Sequence, residues 1–251
     1  NVVGNPYAPE TIDPQVVKIA QNAAHYAVQK PDEVTDLVDF KQPEISDTDL
    51  KAPIYIDFGP TSLSATPWNN ITSHQESSTT SWTKDVENNY TNIGVRVLDG
   101  FTATHAGVGS EPASPVTVDG VEFPLTAWKD GLLVKGEKNQ GDVGPGRIEI
   151  SQLDVARKYN FTILAIRFNG SKDARISSYK LVGKTESAVK EVKTGIKDAA
   201  SFAAANFEEY IAKFENVEPD SEGKVIVEVK GLDTGSAAEG HINALCISLA
   251  K

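Results

Sequence analysis

From Ile54 onward the chain is a succession of short runs rich in Val, Ile, Phe and Tyr, each closed by Gly, Pro, Asn or Asp. The runs fall at 54–58, 92–98, 116–123, 131–134, 147–150, 159–168, 177–182, 224–229 and 242–249. β-Branched and aromatic residues in short, regularly punctuated runs favour strands over helices. Many such strands in one chain stack as two sheets. The alternation in Lys224-Val225-Ile226-Val227-Glu228-Val229-Lys230 gives one wet and one buried face. Asp119-Gly120 and Asn169-Gly170 are turn dipeptides. Between Glu186 and Asn216 both helical and strand periods fit, and the expectation is a strand near 188–193, a short helix near 197–206 and a strand near 208–216.

The first fifty residues have a different texture. Asp13-Pro14 offers an N-cap acceptor followed by Pro at the first helical position, apolar residues then recur at helical spacing from Val16 to Val28, and Pro31 stops the run. The segment to Pro53 is acidic and proline-punctuated. The division expected is a helical linker or tail of an upstream domain over 1–50 and a β-sandwich over 51–251.

Charge and composition narrow the partners. A net charge of −11 without a basic patch disfavours nucleic acid and anionic membrane surfaces. No apolar run approaches the roughly 18 residues that insert across a bilayer. The single Cys246, inside INALCISLA, allows no internal disulfide and reads as a buried thiol. The absence of Met suggests a processed product or an excised piece.

The groups best suited to a ligand are rings and amides. Trp68-Asn69-Asn70 sets an indole beside two amides; a ring covers the apolar face of a sugar while amides match its hydroxyls. The same trio reads equally as a buried Trp with two turn-forming Asn residues. Trp82 and Trp128 also lie in or beside loops, where an indole is either a contact residue or a plug at the end of the sandwich.

Catalytic patterns are sparse. His25, His74, His105 and His241 lie in no Gly-x-Ser-x-Gly-like setting, and a solvated loop is the default for His74 and His105. Asp57, alone within an apolar strand, is the best single acid candidate, although a carboxylate held by backbone N–H groups is the commoner role there. No EF-hand loop or His-Glu-x-x-His occurs, which leaves a structural Ca²⁺ in a loop as the one metal option and no cofactor.

Taken together, IYIDFGP at 54–60, PWNNIT at 67–72, YNFTILAIRF at 159–168, ISSYKLVG at 176–183, EPDSEGKVIVEV at 218–229 and HINALCISL at 241–249 carry a resemblance. The chain resembles the galactose-binding-like jelly-roll modules of secreted bacterial glycan-degrading hydrolases. Asn160 stands where such modules have Asp, and Ala165-Ile166 replaces the small polar pair before Arg167. NVVGNPYAPE and IAQNAAHYAVQKPDEV further resemble the tail that follows an SGNH-type esterase domain, whose own motifs are absent from this chain.

The resemblance implies an all-β jelly-roll sandwich that binds a glycan or packs against an adjoining catalytic domain, exported from a bacterium to its periplasm, surface or medium. Trp68 and Trp128 would stack on sugar, and Asn69, Asn70 and Arg167 would supply hydrogen bonds. The rival readings are a structural interaction domain without a ligand, and a glycoside or ester hydrolase with an unrecognised acid pair.

Overall fold

A computed structural model describes residues 50–61, 63–138, 143–168, 175–232 and 237–251, all within the unit that spans Ile45–Lys251. The helix expected between Asp13 and Pro31 and the Asn169-Gly170 turn lie outside the described residues.

In chain order the strands are β1 (Ile54–Phe58), β2 (Trp68–Ile71), β3 (Thr79–Thr80), β4 (Gly94–Asp99), β5 (Ala103–His105), β6 (Val116–Val118) and β7 (Val121–Phe123). A one-turn helix, α1 (Leu125–Trp128), precedes β8 (Gly131–Lys138), β9 (Val143–Ser151), β10 (Tyr159–Leu164), β11 (Arg167–Phe168), β12 (Ile176–Val182), β13 (Lys190–Lys193) and β14 (Gly195–Ile196). Helix α2 (Ala199–Ala203) and a 3-10 turn (Phe207–Tyr210) lead into β15 (Ile211–Val217), β16 (Val225–Gly231), β17 (Ala237–Ile242) and β18 (Ala244–Leu249).

Two sheets dominate. One has the order β15-β10-β18-β1-β2 and the other β13-β12-β16-β9-β4-β3. From β9 onward the chain repeatedly crosses between them: β9, β12 and β16 enter the six-stranded sheet, while β10, β15 and β18 enter the five-stranded one. Such crossing makes a jelly-roll sandwich rather than a meander. A smaller sheet, β17-β8-β5, packs against β9, β12 and β16 and adds Leu132, Val134 and Ile242 to the same core.

The core between the large sheets follows from strand alternation. Ile54, Ile56, Phe58, Phe161, Ile163, Leu245 and Ile247 meet Val95, Val97, Ile148, Ile150, Leu181, Val225 and Val227, and all are buried. β16 shows the expected two faces, with Val225, Val227 and Val229 buried and Ile226 and Glu228 half-buried.

The outer face of the five-stranded sheet is roofed. Leu164, Ile166 and Ala244 pack with Val116, Phe123, Trp128, Phe202 and Tyr210 into a second apolar cluster. The roof is the β6–β7 hairpin, α1, α2 and the 3-10 turn. The hairpin turns on Asp119 (φ +51°) and Gly120 (φ +76°), both in the left-handed region that a two-residue hairpin turn of this hand requires. Asp198 caps α2, its carboxylate accepting from Ser201 N.

Several expectations need correction. Trp68-Asn69-Asn70 is not a turn: it belongs to β2, which pairs parallel to β1 with Trp68 opposite Tyr55 and Asn70 opposite Asp57. The run 159–168 is broken after Leu164, because Asn243 intrudes. Its Oδ1 accepts from Ile166 N at 2.7 Å, and its Nδ2 donates to Trp128 O (2.9 Å) and Asp130 O (2.6 Å). One buried amide thus ties β18 to α1 and to the start of β8. In the ambiguous stretch the strand is Lys190–Lys193 and the helix Ala199–Ala203, and β15 starts at Ile211 after the 3-10 turn.

Candidate functional site

Trp128 is fully buried. Its indole stacks on Phe202 at 4.9 Å and its Nε1 donates to Ser114 O at 3.1 Å. A sugar cannot reach it, and its assignment as a stacking platform is corrected. The cause is the roof: α2 brings Phe202 onto a ring that local sequence alone would leave at the surface.

The two amides beside Trp68 are spent internally. Asn69 accepts from Lys84 N (2.8 Å) and donates to Lys84 O (2.8 Å) and Tyr55 O (3.0 Å). Asn70 accepts from Ser64 N (2.9 Å) and donates to Ser64 O (3.0 Å), closing the loop between β1 and β2. Both are positioning residues, not sugar-facing groups. Trp68 is half-buried, its ring 5.0 Å from that of Tyr55 and 5.8 Å from that of Phe123.

What Asn69 positions is a second aromatic group. The loop between β3 and β4 carries Trp82, 41% exposed, and Tyr90, 47% exposed. Lys84 and Tyr90 face each other as an antiparallel bridge, with the Lys84 ammonium 4.8 Å from the Tyr90 ring centre. The loop is held from several sides. Asp85, buried, accepts from Glu87 N and Asn89 N, and Val86 N donates to Pro53 O. Beneath it the buried Thr83 and Thr91 hydroxyls pair at 2.8 Å. Trp82 itself adopts φ +54°, a conformation that costs a bulky residue energy and persists only where its surroundings enforce it. Exposed rings on a fixed loop lose little freedom on binding a flat ligand.

Asp57 is a structural acid in this fold. It is 2% exposed, and its Oδ2 accepts from Ser64 N at 3.1 Å. Burial first, and then the charge of Asp130, push its pKa up to about 7, against the pull of its Ser64 hydrogen bonds. Asp130 is also fully buried; its Oδ2 accepts from Thr61 N (2.9 Å) and Thr61 Oγ1 (2.8 Å). This pair clasps the loop after β1 rather than flanking an open cleft.

Arg167 lies in a different setting. Its Nη1 donates to His105 Nδ1 at 3.2 Å. His105 is buried, contrary to its expected solvated place, and its ring meets that of the fully buried His241 edge-on at 5.3 Å. Burial, above all, holds both imidazoles below their ordinary pKa, His241 at about 4. Glu239 and Arg175 complete the cluster, joined at 2.7 Å. Sequence reasoning missed it, although Glu239 and His241 at strand spacing, beside an apolar run, were its visible trace. Among the described residues no group of three or more His, Cys, Asp or Glu could hold a metal ion. Cys246 is buried and its thiol is pushed up to about 12 by burial.

The fold and loops define a jelly-roll β-sandwich with an exposed aromatic loop and a buried charged cluster. No protein-family model matches the chain, and no curated protein sequence matches it. Among solved structures it is similar to TmCBM61 in complex with beta-1,4-galactotriose, at 15% identity, over 48% of this chain and 71% of that one, with a TM-score of 0.29. It is also similar to the insecticidal delta-endotoxin Cry8Ea1 from Bacillus thuringiensis, at 12% identity, over 48% of this chain and 20% of that one, with a TM-score of 0.28.

Proposed function

We propose that this chain is a non-catalytic carbohydrate-binding module, and that Trp82 and Tyr90 form its sugar-stacking surface. The observation that carries the reading is the pair of exposed rings on a loop anchored by Asn69 and Asp85. Two aromatic rings in water are costly to keep exposed, and their flat faces match the C–H faces of pyranoses. Lys84, beside Tyr90, offers a donor to ring hydroxyls. Three buried indoles would favour the rival reading of a structural domain without a ligand, and Trp82 is 41% exposed. The wider reading places the module in an exported bacterial glycan-degrading protein, next to a catalytic domain of SGNH-esterase type. The full reading frame tests that context.

Isothermal titration against a panel of plant and host glycans tests the binding itself. The expected result is binding to at least one glycan, weakened about tenfold or more in Trp82→Ala. Absence of binding across the panel, or undiminished binding in the Trp82→Ala, Tyr90→Ala double variant, would remove the reading.

A further inference from the structure

Among the described residues, the cluster around Arg167 holds more cations than carboxylates. Its described cations are the buried Arg175, the half-buried Arg167 and the exposed Lys135, and its described carboxylates are Glu239 and Glu111. Arg175 Nη2 stands 2.7 Å from Glu239 Oε2, and Lys135 Nζ 3.9 Å from Glu239 Oε1. Glu111 attracts Arg167 from a distance, but its two oxygens are committed to Val108 N and Gly109 N. The two histidines add no charge. An arginine can only donate, so His105 Nδ1 is the acceptor in its bond with Arg167 and the ring proton sits on Nε2. His241 Nε2 lies 3.5 Å from Glu239 Oε2, and burial keeps that imidazole neutral near pH 7.

The donors are also incompletely used. Arg175 is 3% exposed, yet among the described residues its Nε and Nη1 have no hydrogen-bond acceptor, and neither does the buried Arg167 Nε. Buried guanidinium donors left in that state destabilise the fold unless something accepts from them. Water can accept hydrogen bonds but cannot cancel a charge. A metal ion would meet two guanidinium groups and is disfavoured by repulsion. What satisfies both deficits is a small anion with a planar pair of acceptors, the geometry an arginine fork matches best. Arg167 and Lys135, respectively half-buried and exposed, give the cluster an edge toward solvent.

We propose that Arg167 and Arg175 form a binding site for a single carboxylate, carried either by a small organic acid or by an acidic sugar. The site is separate in its residues from the Trp82–Tyr90 loop and does not depend on the glycan reading. A neutral glycan needs only the rings, and a carboxylate needs only the arginines.

The test is thermal denaturation and titration calorimetry of the whole chain with sodium acetate, sodium glucuronate, sodium chloride and glucose, at matched ionic strength. A ligand that binds only the folded state raises the melting temperature with the logarithm of its concentration. Stabilisation by acetate and glucuronate identifies a general carboxylate site, and stabilisation by glucuronate alone identifies an acidic-sugar site. Either supports the proposal if Arg167→Gln weakens the binding about tenfold. Arg175→Gln should abolish it; should that variant not fold, Arg167→Gln at the half-buried edge decides alone. Equal stabilisation by chloride, no stabilisation by either carboxylate, or unchanged affinity in Arg167→Gln would overturn it.

Discussion

Asp57 makes stability fall as pH rises, which inverts the usual behaviour of a carboxylate. It sits in the middle of the sheet formed by β18, β1 and β2, opposite Ala244 on one side and Asn70 on the other. Its surroundings offer one backbone N–H and the Ser64 hydroxyl, with the buried Asp130 nearby. Burial dominates, and the pKa rises from 3.8 to about 7 in the fold. The folded state therefore holds a proton between these values that the unfolded chain has already released. Stability from this group is full below its unfolded pKa and is lost as pH climbs through about 7. That rise corresponds to about 4 kcal/mol.

Asp57→Asn keeps an oxygen acceptor for Ser64 N and cannot ionise. Urea denaturation of both proteins at about pH 5 and about pH 8.5 should show the parent losing about 2.5 kcal/mol relative to the variant, the part of the shift lying above the lower pH. Taking the difference removes the histidines, which contribute equally to both proteins. If the two stability curves run parallel across this range, Asp57 ionises in the fold as freely as in water and burial does not raise its pKa.

Other expectations can be checked with the same protein. His241 and His105 act in the opposite sense: burial depresses their pKa values, so the stability they allow is full above the ordinary imidazole pKa, and for His241 it is lost as pH falls through about 4. His241→Leu should flatten that acid slope in denaturation curves. Trp128→Ala should cost about 3–5 kcal/mol of stability through the cavity it opens under Phe202, with folded protein still able to bind glycan. Asn69→Ala leaves Lys84 N and O without their partners; it should cost roughly 1–3 kcal/mol and weaken glycan binding by loosening the Trp82 loop, as calorimetry would show. Iodide should quench Trp82 readily and leave Trp128 untouched, as single-Trp variants would report. Gly131→Ala would set a methyl 2.5 Å from Ile242 O and 3.0 Å from His105 Nε2, and should cost about 1–3 kcal/mol in a melting experiment.

The sandwich was legible because its determinants are local. Val225, Val227 and Val229 alternate with polar residues, and period two alone assigns their face. Asp119-Gly120 is nearly a turn by composition, since both residues tolerate positive φ. Sequence fell short where burial is decided by a distant element. Nothing near Trp128 announces that Phe202 will cover it, and nothing near Trp82 announces that no such cover arrives. Trp82 lies among Ser, Thr, Lys and Asp, whereas Trp128 lies between Phe-Pro-Leu-Thr-Ala and Lys-Asp-Gly-Leu-Leu, and the two have opposite fates in the fold.

The amides show the same limit from another side. The amides of Asn69 and Asn70 match sugar hydroxyls, and the same groups match a peptide backbone equally well. In a strand beside an irregular loop the backbone is the nearer partner, so Lys84 and Ser64 take the bonds first. A ring has no such competing partner: once a tertiary neighbour is missing, only solvent or a ligand can cover it. For a sandwich of this kind, exposed rings on pinned loops are therefore the more discriminating mark of a binding surface, and an amide beside them is first a brace for the loop. Asn69→Ala separates the two roles. If it weakened glycan binding while Trp82 and Tyr90 kept their environments, as judged by fluorescence and near-UV dichroism, Asn69 would be a direct contact and the assignment of roles would have to be reversed.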